Sequence, residues 1–407
     1  MRQVMLPRSP PRNRVKLALI TLNDSTDVHQ WSGLNYHIAR SLERAGATLH
    51  RIGPLETKWS LGMRVRQRWY DATGRVYHAV IDPSALAALG EQARAQIPAD
   101  ADAVLAVTSL VAAAVGPLSI PLASWDDATN AAMLLYYPDF HRMATVSRKH
   151  SDELGLRAAN AVALASYASD WAATSASESY GIPADRVAVV PFGANLERLP
   201  EHVAVEASIA ERPKTVCRML WVGVDWNRKG GPLALEIAKA VAGGGVPVEL
   251  TLVGCEPPDR AALPDWVRVE GFISKRTPAG EARLAALFAR SHFFVMPSNA
   301  EAYGLVYAEA AAFGVPAVAI RTGGVPTIIV DGETGLLESP ESEAEHYAAR
   351  MLALMRDRAA YERMARAAKV RSEEKLNWDV AGREVLRLLS INDGKTDRNE
   401  PSGHERK

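Results

Sequence analysis

The chain is predicted to be an α/β protein of two Rossmann-like, doubly wound domains facing a cleft. Three observations predict it. The length of 407 residues exceeds one ordinary domain. Apolar runs of strand length alternate with helical patterns, and a break near the middle is followed by a restart of the same alternation. Val15 to Thr21 reads as the first strand. Gly33 to Ala45 is a helix, with Ile38, Ala39 and Leu42 at helical spacing and Gly46 as its stop, and Ala47 to Ile52 is the next strand. Ala103 to Val107, Ile120 to Trp125, Ala161 to Ala165 and Val187 to Val190 complete an N-terminal domain over 1–195. Pro200, Glu201, Glu211 and Pro213 interrupt any pattern, so 196–213 reads as a linker. The second domain, 214–377, holds strands at Val216 to Val222, Val248 to Val253, Trp266 to Glu270, Phe293 to Met296 and Ala317 to Ile320, and a helix at Leu233 to Val241. A helix over 378–390 is expected to cross back to the first domain, and the polar stretch 391–407 reads as a disordered tail.

Lys+Arg and Asp+Glu both total 47, so the net charge is zero and no nucleic-acid partner is expected. Cys217 and Cys255 lie in apolar, strand-like contexts without C-x-x-C spacing, which favours buried thiols over a disulfide framework. Met1 to Arg14 lacks an apolar core, and no run is long enough to cross a bilayer. A cytoplasmic location follows as the expectation, with attachment at the inner face of the membrane left open. Arg64, Arg66 and Arg68, interleaved with Met63, Val65 and Trp69, fit either a solvated helix face or a basic surface for an anionic membrane or a lipid-linked acceptor. The D-x-D match Asp100-Ala-Asp102 precedes its strand and reads as a solvated turn. The ten histidines show no metal-ligand spacing, so no metal and no cofactor are expected.

Chemistry concentrates in Glu301-Ala-Tyr-Gly-Leu-Val-Tyr-Ala-Glu309. The apolar run His292 to Met296 ends at Pro297-Ser298, and an Ala-rich helix then runs to Phe313, stopped by Gly314 and Pro316. Free amides near Gly304, Leu305 and Val306 would face the mouth of the sheet with partial positive charge, a place for phosphate oxygens. Glu301 and Glu309 could hold the two ends of a polyhydroxylated ligand; the plainer reading is an acidic turn and a solvated glutamate. Trp221 to Gly231 also follows a strand and delivers Arg228 and Lys229 into the same crevice. Lys229 suits a diphosphate as a point charge, whereas Arg228 could fork onto it or point to solvent.

Pro297-Ser-Asn-Ala-Glu301 through Glu309, Gly314-Val-Pro-Ala317, Gly323-Gly-Val-Pro326 and Asp331-Gly-Glu-Thr-Gly335 together resemble the C-terminal signature of retaining family 4 glycosyltransferases of GT-B fold. Val190-Pro-Phe-Gly-Ala-Asn195 resembles the family's loop at the end of the N-terminal domain. The resemblance implies that Glu301 meets the donor sugar and Glu309 the ribose. It implies that backbone at Tyr303, Gly304, Leu305 and Val306 and the Lys229 ammonium meet the diphosphate, and that Phe272 and Ile273 lie by the base. The donor would be a UDP-, GDP- or ADP-sugar acting as co-substrate, and the acceptor a carbohydrate or lipid-linked hydroxyl in cell-envelope or polysaccharide synthesis. Tyr136, Tyr137 and His141 could line the acceptor pocket or simply pack.

Three departures stand out. Gly223 is followed by Val224 where many relatives carry arginine, so Arg228 is expected to take over that charge. Trp31-Ser-Gly-Leu34 replaces a Gly-Gly turn, leaving Gly33 to approach a phosphate. Asp127 aligns where relatives often have a catalytic histidine. It could accept a hydrogen bond from a sugar hydroxyl or stabilise an oxocarbenium ion; alternatively Asp126 and Asp127 cap the following helix. Thr129 and Asn130 are weaker candidates. The expected activity is sugar transfer with retention; a nucleotide-sugar epimerase or a non-catalytic binding protein are the alternatives.

Overall fold

The computed structural model describes residues 15–28 and 30–396. Two six-stranded parallel sheets, each covered by helices, form the α/β frame. In the first half β1 (Lys16–Ile20) is followed by α1 (Leu34–Arg44), β2 (Thr48–Ile52) and α2 (Leu61–Ala72). Then come β3 (Ala103–Val107), α3 (Ser109–Val115), β4 (Leu122–Asp126), α4 (Asn130–Tyr136), β5 (Leu164–Tyr167) and β6 (Val187–Val189). The sheet order is β2-β1-β3-β4-β5-β6. Its central strands are buried on both faces and read as continuous apolar runs, as parallel strands must under helices.

After α5 (His202–Glu211), the second half contains β7 (Cys217–Gly223), α6 (Gly231–Gly243), β8 (Val248–Gly254), β9 (Val267–Gly271), β10 (Phe293–Val295), α7 (Leu305–Ala312), β11 (Ala317–Ile320) and β12 (Gly335–Glu338). Its order, β12-β11-β10-β7-β8-β9, reverses direction between β7 and β10. That reversal opens a crevice at the carboxyl ends of these two strands.

The elements stand where periodicity puts them, with four differences. The expected linker is not irregular: α5 occupies its middle, because His202 to Glu211 lies between the prolines rather than across them. Its end is fixed by Arg212, whose buried guanidinium donates to the carbonyls of Phe313 and Gly314 at 2.9 and 2.7 Å. Strand β12 was not anticipated, and β5 begins three residues later than expected, at Leu164, since the preceding helix runs to Ala161. The last helix, α8 (Trp378–Thr396), continues past 390, so 391–396 is helical rather than tail; residues 397–407, expected to be disordered, lie outside the described residues.

Helix α8 does return to the first half. Arg44 pairs with Asp379, a Cβ at Gly382 would lie 2.5 Å from the Ser41 carbonyl oxygen, and Trp378 stacks on His37. Trp378 also packs against Trp125 and Phe192, and Tyr303 donates its hydroxyl to the Phe192 carbonyl at 2.7 Å. The two halves therefore share one aromatic seam behind the cleft, worth several buried rings. Cys217 is a buried free thiol and Cys255 a half-buried one. Asp100 pairs with Lys16 at 2.7 Å, as a surface turn would.

Candidate active site

A cavity of about 600 Å³ lies between the sheets, walled by segments that leave the carboxyl ends of β1, β4, β6, β7, β8, β9 and β10. Glu301, Glu309, Lys229 and Arg228 line it from the second half, and Asp127 from the first. Two glycines make the convergence possible. Gly230 (φ 69°) lets the loop after β7 pass so close to the turn after β10 that a Cβ there would lie 1.9 Å from the Pro297 carbonyl oxygen. The two loops are then bonded, Asn299 N and Ser298 Oγ both donating to the Arg228 carbonyl at 2.9 and 3.0 Å. Lys229 is thereby delivered to the Glu301 carboxylate, with which it forms a largely buried ion pair.

Gly304 (φ 98°) is the second. It starts α7, no side chain caps the helix, and a Cβ would meet the Tyr307 ring at 2.5 Å. Gly304, Leu305 and Val306 line the cavity, so the positive end of α7 is left for an anion. Further along, Glu309 is buried and paired with Lys275, Nζ to Oε1 2.5 Å. Both carboxylates thus rest on lysines. Phe272, exposed, and Ile273 form the wall after β9. Arg228 neither forks freely nor points outward: it donates to the Ala300 carbonyl at 3.2 Å, lies 3.5 Å from Asp225 and sits over the Tyr137 ring. Tyr303 lines the cavity, but its hydroxyl is spent on Phe192, leaving its backbone to meet a ligand.

From the first half, Asp126 and Asp127 end β4. They do not cap α4: Thr129 does, accepting from Ala132 N at 3.1 Å. Asp126 instead binds Ser109 N and Oγ at the start of α3, at 2.7 and 2.9 Å, and accepts from Asp127 N. This turns Asp127 toward the cavity. Burial first, and then the Asp126 charge, push the Asp127 carboxyl up to about 8, so it is neutral near neutrality. Asn130 Nδ2 finds no partner among the described residues.

Gly33 caps α1 and is buried; Trp31, Ser32 and Leu34 around it form the cavity wall. Trp31 (φ 47°) and Ser32 (φ 55°) adopt the left-handed conformation that a Gly-Gly turn takes without strain. Such strain persists only where neighbours over-determine it. Here Asn195 Nδ2 donates to the Ser32 carbonyl at 2.6 Å, and Asn195 is held in turn by Trp378 Nε1 at 3.0 Å.

Sequence reasoning missed Lys275, which had no motif to mark it, and it left Tyr136 and Tyr137 ambiguous. They bridge the halves: their hydroxyls accept from Glu301 N and Ala302 N, each at 2.8 Å, and Tyr136 also meets Thr322 at 2.7 Å. Tyr137 lines the cavity; His141 is exposed and does not. Among the described residues no cluster of His, Cys, Asp and Glu could hold a metal ion.

Residues 209–371 match the model of the family described as glycosyl transferases group 1, a span that contains the whole second sheet. Over those residues the chain is similar to the group 1 glycosyl transferases. D-inositol 3-phosphate glycosyltransferase from Streptomyces avermitilis is 41% identical over 113 residues, 28% of this chain and 24% of the relative. The same-named protein of Thermomonospora curvata is 28% identical over 238 residues, 54% of each. The chain thus spans between about a quarter and about half of the length of these curated relatives. Among solved structures, sucrose-phosphate synthase from Thermosynechococcus elongatus aligns with a TM-score of 0.66 at 18% identity, covering 94% of this chain and all of that one. Anabaena HepE in complex with UDP and glucose aligns at 0.59 and 17%, covering 93% and 100%. At this identity the likeness is one of fold: the two sheets together have the GT-B architecture.

Proposed function

We propose that the chain is a retaining, metal-independent glycosyltransferase that moves a sugar from a nucleotide-diphosphate sugar to a hydroxyl acceptor, in the cytoplasm or at the inner membrane face, for cell-envelope or polysaccharide synthesis. One observation carries the reading. A single cavity joins Glu301, Lys229, Glu309 and the uncapped start of α7 on one wall to Asp127 on the other. The UDP and glucose held by the Anabaena fold neighbour make a UDP-sugar the first donor to test.

In this reading Glu309 binds the ribose, Phe272 and Ile273 the base, and Glu301 the sugar hydroxyls. The bond from C1 to the diphosphate oxygen breaks with its electron pair on the diphosphate. The acceptor oxygen bonds C1 from the same face, and its proton passes to the departing phosphate oxygen. Lys229, Arg228 and the amides at the start of α7 stabilise the charge that builds there. Asp127, neutral, donates a hydrogen bond to a sugar hydroxyl rather than opposing an oxocarbenium ion with full charge. The seam at Trp378 and the tyrosine bridge align the halves and limit water.

The test is incubation with UDP-, GDP- and ADP-sugars, with and without a cell-envelope lipid extract, with and without a chelator. Product with the donor's anomeric configuration, unaffected by chelator, is expected. Donor isomerised without acceptor, or an inverted product, would sink the reading.

A further inference from the structure

The two walls of the cavity differ in charge. Arg228, Lys229, Lys275 and Arg276 all belong to the second-half wall, and among the described residues the first-half wall holds no lysine or arginine. What stands there is neutral: Trp31, Ser32, Leu34, Tyr137 and Phe192, with Asp127, which burial and the Asp126 charge keep protonated near neutrality. A wall without a cation receives a phosphate or carboxylate poorly, since an anion taken out of water without a counter-charge is costly. The start of α7 and the lysines serve anions from the other side. The first wall therefore suits an uncharged group.

Trp31 is the largest side chain on that wall. It is 37% exposed, and its indole makes no hydrogen bond or ring contact with a described residue. Its backbone is held where it is. Trp31 and Ser32 are both left-handed, and Gly33 follows at φ 79°, where a Cβ would lie 2.8 Å from the Val28 carbonyl oxygen, so the turn folds back tightly on its own start. Asn195, itself fixed by Trp378, holds the Ser32 carbonyl. A strained turn anchored from distant parts of the chain thus sets an unpartnered indole into the cavity wall. An indole face packs against the C–H face of a pyranose ring, and neutral polar groups beside it exchange hydrogen bonds with the ring hydroxyls. Ser32, Asn195 and Asp127 are such groups on the same wall. A lipid chain would instead need the continuous apolar surface that these three interrupt.

Resting on the transfer site proposed above, we infer that Trp31 is the stacking platform for the acceptor, and that the acceptor group it receives is an uncharged pyranose rather than a phosphorylated one. The test uses the full chain saturated with whichever of UDP, GDP and ADP binds tightest. Saturation-transfer NMR then compares methyl α-D-glucopyranoside, methyl α-D-mannopyranoside and methyl β-D-galactopyranoside with α-D-glucose 1-phosphate and α-D-mannose 1-phosphate. At least one methyl glycoside should bind, more tightly than either sugar phosphate and with little dependence on salt. Trp31→Ala should weaken that binding about ten-fold, from the lost contact of one ring face, and Trp31→Phe should recover most of it. Nucleotide affinity should be unchanged in both. Trp31→Gly takes the left-handed turn without strain, so it should melt close to the parent and yet lose glycoside binding as Trp31→Ala does, which separates the ring from the fold. With nucleotide bound, a sugar phosphate that binds more tightly than every methyl glycoside overturns the inference and leaves the transferase reading standing. So does the absence of glycoside binding, or a Trp31→Gly variant that binds like the parent. A chain that binds none of the three nucleotides loses the transfer site itself, and the acceptor platform with it.

Discussion

Replacing Asp127 by asparagine tests the site most sharply, because the two forms of this carboxyl predict opposite results. Its pKa is raised from 3.8 to about 8 by burial and by Asp126. Between about pH 4 and about pH 8 the unfolded chain releases the proton while the folded chain keeps it, so stability falls as pH rises through that window. Neutrality lies about three pH units above the unfolded value, each worth about 1.4 kcal/mol. Keeping the acid buried therefore costs on the order of 4 kcal/mol near neutrality. Asparagine has the same shape and no proton to lose. Asp127→Asn should match the parent in urea unfolding at about pH 4 and become progressively more stable than it up to about pH 8. Activity should fall in the parent as pH rises through about 8, and Asp127→Asn should retain activity within roughly ten-fold and lose that alkaline limb, as expected for one hydrogen bond. A stability gap that ignores pH refutes the neutral acid. So does a variant that is inactive at every pH while the parent gains activity above about 8.

Lys229→Ala should lower kcat by roughly a hundred- to a thousand-fold, as for removal of a group that stabilises developing charge, with product formation from a UDP-sugar as the readout. Glu309→Gln should raise the donor KM by about ten-fold with kcat nearly unchanged, since the proposed ribose contact would be made equally in ground and transition states; steady-state kinetics distinguish the two parameters. Tyr137→Phe leaves Ala302 N without its partner and should cost about 1–3 kcal/mol, read as a lower melting temperature.

Much of the frame is written locally. A parallel strand under helices needs a short apolar run, a helix needs spacing and a stop, and Val15 to Thr21 or Gly33 to Ala45 contain all of that. The second wall of the site is local for the same reason: Glu301, Gly304 and Glu309 are placed by one strand end, one left-handed glycine and two turns of helix. What the sequence hides depends on distant partners. Nothing in His202 to Glu211 says that Arg212 will find the carbonyls of Phe313 and Gly314, so two prolines read as a linker. Trp31 and Ser32 give no hint of a left-handed turn, because the groups that hold it, Asn195 and Trp378, lie far along the chain. Lys275 acquires a role only when β9 brings it to Glu309.

The same division bears on mechanism. In the proposed transfer, the wall that would bind the donor is nearly complete in one half, with each carboxylate already paired with a lysine, and so would need little from the other. The first half supplies three things that single motifs cannot encode: a neutral acid, a strained turn, and two tyrosines whose hydroxyls hold the backbone at Glu301 and Ala302. Since those tyrosines accept from the very loop that carries Glu301, opening the cleft must unseat that carboxylate's backbone. In the proposed transfer, donor binding and domain closure would on that account be coupled through Tyr136 and Tyr137. Substitutions there should change donor affinity without touching a single donor contact.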